Sequence, residues 1–280
     1  MCITMYGRLG VYLLYMMWYR QHHAKSWVWN LEFCQAKYIL PQVRVGLPLA
    51  VGQVFENSQL QTMALLASSM GEVQPTNTVS LDSHNSMIVL VFFLTSPIYG
   101  LGSAGVIRIG MYLGANEPEK AHQLARLLAT CICCISVGIA TVLMLNRNVV
   151  GHLYSEDPRV WASMTSICTL AASGYVILSV FYSSMAVLVA QARAVPILVA
   201  FVSGAWVVGV PTAYLVGIHW HVGLLGVWIG MSIGYAVTTA VTLYGAITAN
   251  WEAEADKAVL RSKAKHEQIT ETTTLLNDEP

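Results

Sequence analysis

One carboxylate stands apart in this sequence. Of its fifteen acidic residues, fourteen fall in polar connections, a linker or the tail, and only Glu56 sits inside a long apolar run, Val45–Ser69. An ionisable group held in hydrocarbon costs roughly 2.5–3.5 kcal/mol on insertion scales, and such residues usually serve ion or proton pathways. A carboxyl group taken out of water favours its neutral form, so Glu56 is a group that could load and release a proton. Its run is also unusually polar, with Gln53, Asn57, Ser58, Gln59, Gln61 and Thr62 around it. At helical spacing, Gln53, Glu56 and Asn57 share one face, with Gln61 near its edge. That face is expected to line a cavity or a helix interface. The alternative is a buried glutamate paired with another helix for packing alone.

The elements that must position Glu56 follow from composition. The chain has 280 residues, 55% hydrophobic and 11% charged, with a mean hydropathy of +0.55. Soluble domains carry about 25% charged residues, so this much apolar surface calls for a bilayer. Net charge is zero, which leaves no basic field to hold nucleic acid. Six apolar segments are expected to cross as helices: Val45–Ser69, Met87–Ile107, Leu124–Val149, Trp161–Ala190, Val195–Ile218 and Val222–Ala249. Each can span about 30 Å of hydrocarbon, and helices satisfy every backbone group internally. The reading is an all-α membrane protein, a six-helix transmembrane bundle over residues 43–250.

Around that bundle, residues 1–20 hold a short apolar run, Leu9–Tyr19, expected to be a partial or interfacial helix. Residues 21–42 read as a cytoplasmic linker, and 251–280 as a cytoplasmic tail that opens as a helix and ends disordered. Leaving Arg8 aside, twelve Lys and Arg fall on one side of the expected spans, against Arg147 and Arg159 on the other. The positive-inside rule therefore places both ends of the bundle in the cytoplasm.

Other residues carry weaker signals. Pro48, Pro97 and Pro211 interrupt expected spans and Pro196 opens one, as kinks for packing or gates for transport. Gly226, Gly230 and Gly234 form a small-residue ladder that lets helices approach closely. The six cysteines lack paired metal-ligand spacing, and His219-Trp220-His221 lacks further ligands, so no metal site is expected and Trp220 reads as an interfacial anchor. No nucleophile triad, phosphate loop or nucleotide fingerprint is present, so no cofactor is expected. Glu271 followed by Leu275-Leu276 resembles an adaptor-read sorting signal for a lysosome- or vacuole-like membrane.

Several stretches together resemble the multidrug and toxic compound extrusion (MATE) transporters. Leu47–Gly71 (LPLAVGQVFENSQLQTMALLASSMG) is similar to the family's seventh helix, and Gly102–Arg126 (GSAGVIRIGMYLGANEPEKAHQLAR) to the end of its eighth. LYSEDPRV resembles the loop between helices nine and ten. VVGVPTAYL and GLLGVWIGMSIG resemble helices eleven and twelve, and TANWEAEADKAVLRS the exit helix. The matches keep the family's order over about residues 30–262 and fall on its C-terminal lobe. The resemblance implies one lobe of a twelve-helix protein that exchanges a proton or sodium ion for an organic, often cationic, substrate. It puts Glu56 on the helix-seven acid, and Pro48, Arg108, Gly110 and Gly114 on structural or gating positions. The sequence also departs from the pattern. Gln61 stands where many eukaryotic members carry a second Glu, Tyr182 stands where helix ten has Asp, and Ala192-Arg193-Ala194 lacks the usual glycines.

The functional expectation is a secondary active antiporter, or its C-terminal half, that exports organic compounds in exchange for H+ or Na+. Gln53, Glu56, Asn57, Gln61 and Tyr182 are its coupling candidates. A lone lobe would have to pair with a second lobe or a second copy to enclose a site. The expected membrane is the plasma membrane or a vacuole-like one. The alternatives are a non-transporting fragment or partner subunit, and a membrane enzyme; the second is disfavoured by a single acid and no histidine within the expected spans.

Overall fold

The computed structural model describes residues 2–20, 36–70 and 78–263. It divides into two units, Met1–Arg44 and Val45–Pro280. In the first, α1 (Cys2–Leu14) runs directly into a π-helical turn, Tyr15–Arg20. The helix thus starts seven residues before Leu9. Residues 21–35 of the expected linker lie outside the described residues, and its last seven, 36–42, are helical.

The second unit is built wholly from helices among its described residues. Helix α2 (Ala36–Ser69) begins in the first unit and carries the polar belt around Glu56. It is followed by α3 (Val79–Gly114), α4 (Pro118–Leu145), α5 (Pro158–Ala190), α6 (Val195–His219), α7 (Leu224–Ile247) and a last helix, α8, over 251–263. Five of these, α3 to α7, are long and apolar enough to cross a membrane. The sixth expected span lies within α2, whose amide and carboxyl side chains dilute its apolar character.

Local chemistry sets the helix ends. Asn116 takes the left-handed φ of 61° that an Asn tolerates, which turns the chain from α3 to α4, and Pro118 opens α4 at a position that needs no N–H. Asp157 caps α5 by accepting the Arg159 backbone N–H at 2.9 Å, with Pro158 as the first helical residue. The prolines do less breaking than their positions suggest. α2 runs on through Pro48 and α3 through Pro97. Only Pro211 coincides with irregular backbone: α6 widens into π-helix at Phe201–Gly209 and again at Leu215–His219, on either side of it.

Helix α5 is the centre of the bundle, packed against α3, α4 and α7. Against α7 also lies α6, and the glycine ladder forms that seam. A Cβ on Gly226 would come within 2.6 Å of Gly217, one on Gly230 within 2.3 Å of the Ala213 backbone, and one on Gly234 within 2.8 Å of Gly209. Backbones can meet this closely only where side chains are absent. The core continues through Met87, Ile98, Ile109, Met164, Ile167, Tyr175 and Phe181, all almost fully buried.

Candidate functional site

Glu56 is reached by side chains from three helices, α2, α5 and α7. Only 4% of it is exposed. The inner face of α2 buries Gly52, Glu56, Gln59, Met63 and Ala67, a spacing of three and four residues that lays one stripe against the bundle. Gly52 allows the approach: a Cβ there would already touch Phe201 at 3.5 Å and Leu198 at 3.8 Å. One residue before the acid, the Phe55 carbonyl accepts the Trp206 indole N–H at 3.0 Å, which ties α2 to α6.

The carboxylate accepts hydrogen bonds from three uncharged donors. Gln53 Nε2 donates to Oε2 at 2.8 Å, one turn earlier on α2. Tyr182 of α5 and Tyr235 of α7 aim their hydroxyls at Oε1, at 3.3 and 3.5 Å. The longer of these is at the edge of hydrogen-bonding range. Tyr182 also pairs with the Tyr99 hydroxyl of α3, at 2.5 Å, with rings 4.6 Å apart. Phe181 packs edge-on against both Phe201 and Tyr235 and closes the apolar side. Among the described residues, no Lys, Arg or His is a hydrogen-bond partner of Glu56.

Three of the five coupling candidates therefore meet: Glu56, Gln53 and Tyr182. Asn57 and Gln61 are exposed and do not join them; Asn57 instead donates to the Gln53 carbonyl at 2.9 Å. The polar partner that shares the buried stripe is Gln59, one turn beyond Glu56. It is fully buried, and neither side-chain amide atom has a hydrogen-bond partner among the described residues.

Among the structural candidates, a Cβ on Gly110 would lie 4.0 Å from the Ala190 carbonyl oxygen, while Gly114 has open space and Arg108 is exposed. Glu271, Leu275 and Leu276 lie outside the described residues. Among the described residues, no group of three or more His, Cys, Asp or Glu could hold a metal ion.

Sequence reasoning missed Tyr99 and Tyr235, because nothing in a sequence pairs phenols on distant helices. It also misplaced a histidine. The second span was expected to start at Met87, but α3 starts at Val79, so it includes Asp82 in its first turn and His84 on its buried face. The bundle therefore does contain a histidine within a helix long enough to span. The polar stretch Asp82-Ser83-His84-Asn85-Ser86 hid this, because hydropathy ends a span where packing does not. His84 is 1% exposed, and its ring meets the Trp228 ring of α7 edge-on at 5.8 Å.

The chain is similar to known proteins over most of its length. Protein DETOXIFICATION 16 of Arabidopsis thaliana is 29% identical over 230 residues, covering 80% of this chain and 45% of that protein. Multidrug resistance protein PmpM of Pseudomonas aeruginosa is 30% identical over 209 residues, covering 69% of this chain and 40% of that one. The chain thus spans less than half the length of these relatives. The crystal structure of the eukaryotic MATE transporter AtDTX14 superposes with a TM-score of 0.79 at 21% identity, over 89% of this chain and 54% of that one. Residues 48–215, well over half of the chain, match the MatE family, and the chain belongs to it.

Proposed function

We propose that this chain supplies one lobe, the C-terminal one, of a secondary antiporter. It exports organic, cationic compounds in exchange for a proton or a sodium ion, with Glu56 as the coupling group. The observation that carries this reading is a buried carboxylate whose hydrogen-bond partners among the described residues are all uncharged. An unneutralised buried charge is costly, so the ionised form calls for a cation beside it, either a coupling ion or the substrate. Protonation removes that demand and releases the cation. Gln53, Tyr182 and Tyr235 keep the oxygens oriented in both states, since a phenol or an amide can hydrogen-bond a neutral carboxyl as well as a charged one.

Asn57 and Gln61, exposed on the neighbouring face of α2, would face substrate where a second lobe or a second copy closes over it. Pro48, Arg108, Gly110 and Gly114 would shape the ends of α2 and α3 that move. The Arg- and Lys-rich ends of the helices would face the cytoplasm. Glu271, Leu275 and Leu276 would direct the chain to a vacuole- or lysosome-like membrane through an adaptor protein; without them it would remain at the plasma membrane.

The test is efflux of a fluorescent organic cation from cells or vesicles carrying the chain, driven by an imposed pH or sodium gradient. Glu56→Gln is expected to abolish gradient-driven efflux while the protein keeps its unfolding midpoint. Efflux that stays coupled in this variant would remove Glu56 from the mechanism.

A further inference from the structure

Gln59 stands one turn beyond Glu56 on the buried stripe of α2, with neither amide atom hydrogen-bonded among the described residues. Leaving a buried amide unpaired is costly, so its place calls for an account. What it faces is bare backbone. A Cβ on Gly209 of α6 would lie 3.2 Å from Gln59 Nε2, 3.1 Å from the Gly204 carbonyl oxygen and 3.1 Å from Gly234 Cα of α7. Helices α2 and α6 lie side by side and run in the same direction. Gly52 is set against Leu198 and Phe201, Phe55 against Trp206, Gln59 against Gly209, and Met70 against Gly217.

The stretch of α6 that Gln59 meets is the end of its first π-helical segment, Phe201–Gly209. The π register shows at that end, where the Val210 N–H bonds the Ala205 carbonyl, five residues back. The next donor in that register would be Pro211, which has no N–H. The Trp206 carbonyl therefore goes without the donor that the register would bring it. In an α register each N–H reaches four residues back, so the carbonyl left free by Pro211 would be that of Val207. A change of register thus moves the free carbonyl one residue toward Gly209, where the Gln59 amide stands. Short π segments inside α-helices occur mostly at functional sites.

We propose that Gln59 is a positioning residue for a change of register in α6. In the state described here α6 is π-helical and the amide is unpaired. In the other state Phe201–Gly209 tightens to α-helix, and Gln59 Nε2 donates to the Val207 carbonyl. The inference rests on Glu56 as the coupling group and adds the element that carries its two states. The Trp206 indole donates to the Phe55 carbonyl beside the acid, and Phe201 packs against Phe181 and over Gly52. A register change in α6 therefore moves the wall around Glu56.

The test is Gln59→Met in the full chain in lipid–detergent micelles. Met keeps the volume and removes both polar atoms, so it relieves the π state and takes a bond from the α state. The unfolding midpoint is expected to rise by about 2–4 °C. Deuterium uptake by the backbone amides of residues 201–215 is expected to slow roughly tenfold, because the register change opens those amides. Gradient-driven efflux is expected to lose maximal rate by a similar factor with half-saturation unchanged. Pro211→Ala gives the free carbonyl an N–H of its own, so Gln59→Met added to it is expected to alter uptake by less than about twofold. A midpoint that falls, uptake at the wild-type rate, or a full effect kept in the Pro211→Ala background overturns the switch. Midpoint and uptake need no transport, so they decide the switch even where Glu56→Gln leaves efflux coupled, the result that would remove Glu56 alone.

Discussion

Tyr182 and Glu56 are 126 residues apart in sequence, and the phenol of one stands 3.3 Å from a carboxylate oxygen of the other. The site thus has one buried acid held by a phenol from another helix. A double-mutant cycle of Tyr182→Phe and Glu56→Gln, read from unfolding in detergent–lipid micelles, is expected to give a coupling energy of about 0.6–1 kcal/mol. A value of zero would mean that the two groups are neighbours without an energetic link.

The α6–α7 seam makes a sharper claim. Gly230→Ala would push a methyl to 2.3 Å from the Ala213 backbone, so the helices must part. We expect a loss of about 1–3 kcal/mol. Gly138, exposed in the interior of α4, has nothing within 4 Å of its Cβ position. Gly138→Ala is expected to be neutral or to stabilise by about 0.5–1 kcal/mol. Thermal midpoints of the two variants should therefore move in opposite directions.

Trp206 offers a check on the anchoring of α2. Its indole N–H reaches the Phe55 carbonyl next to the acid. Trp206→Phe is expected to cost about 0.5–1.5 kcal/mol and to lower coupled efflux through a looser Glu56, with expression retained. Unaltered efflux would show that the other contacts of α2 suffice to hold the carboxylate.

The cap of α5 gives a pH test. The Arg159 side chain and backbone N–H hold the Asp157 carboxyl below its ordinary value of 3.8. A carboxyl whose value is depressed by folding contributes stability above its unfolded value and loses it as pH falls through the folded one. Asp157→Ala is expected to lower the unfolding midpoint at pH 7, and the gap from wild type should close as pH is taken below 3.8. A gap that persists in acid would trace the effect to backbone conformation instead of the charged cap.

A lobe with Asn57 and Gln61 exposed also predicts association. Native mass measurement in mild detergent is expected to find the 30.6 kDa chain paired with a second copy or another lobe. A well-behaved monomer would argue that these amides face lipid or bound detergent.

Much of this was legible in the residues themselves. Spans over α3 to α7 follow from hydropathy, because a bilayer sorts segments by composition before they pack. Glu56 stood out for the same reason: a lone acid in an apolar run is visible without coordinates. The Gly226–Gly234 ladder was readable because a four-residue spacing is a local property of one helix. The faces of α2 were not. Periodicity groups Gln53, Glu56 and Asn57, but which stripe turns inward depends on the neighbouring helices, and the bundle chose Glu56 and Gln59 over Asn57 and Gln61. The start of α3 was hidden as well, since Asp82 and His84 look like loop until α7 supplies Trp228. The sequence by itself determined the class of protein and the acid at its centre, because solvation and helical periodicity are properties of short segments. Only the tertiary structure decided that Tyr99, Tyr182 and Tyr235 would gather at that acid. Contacts between residues 83 to 179 positions apart depend on how whole helices pack, and no local pattern encodes them.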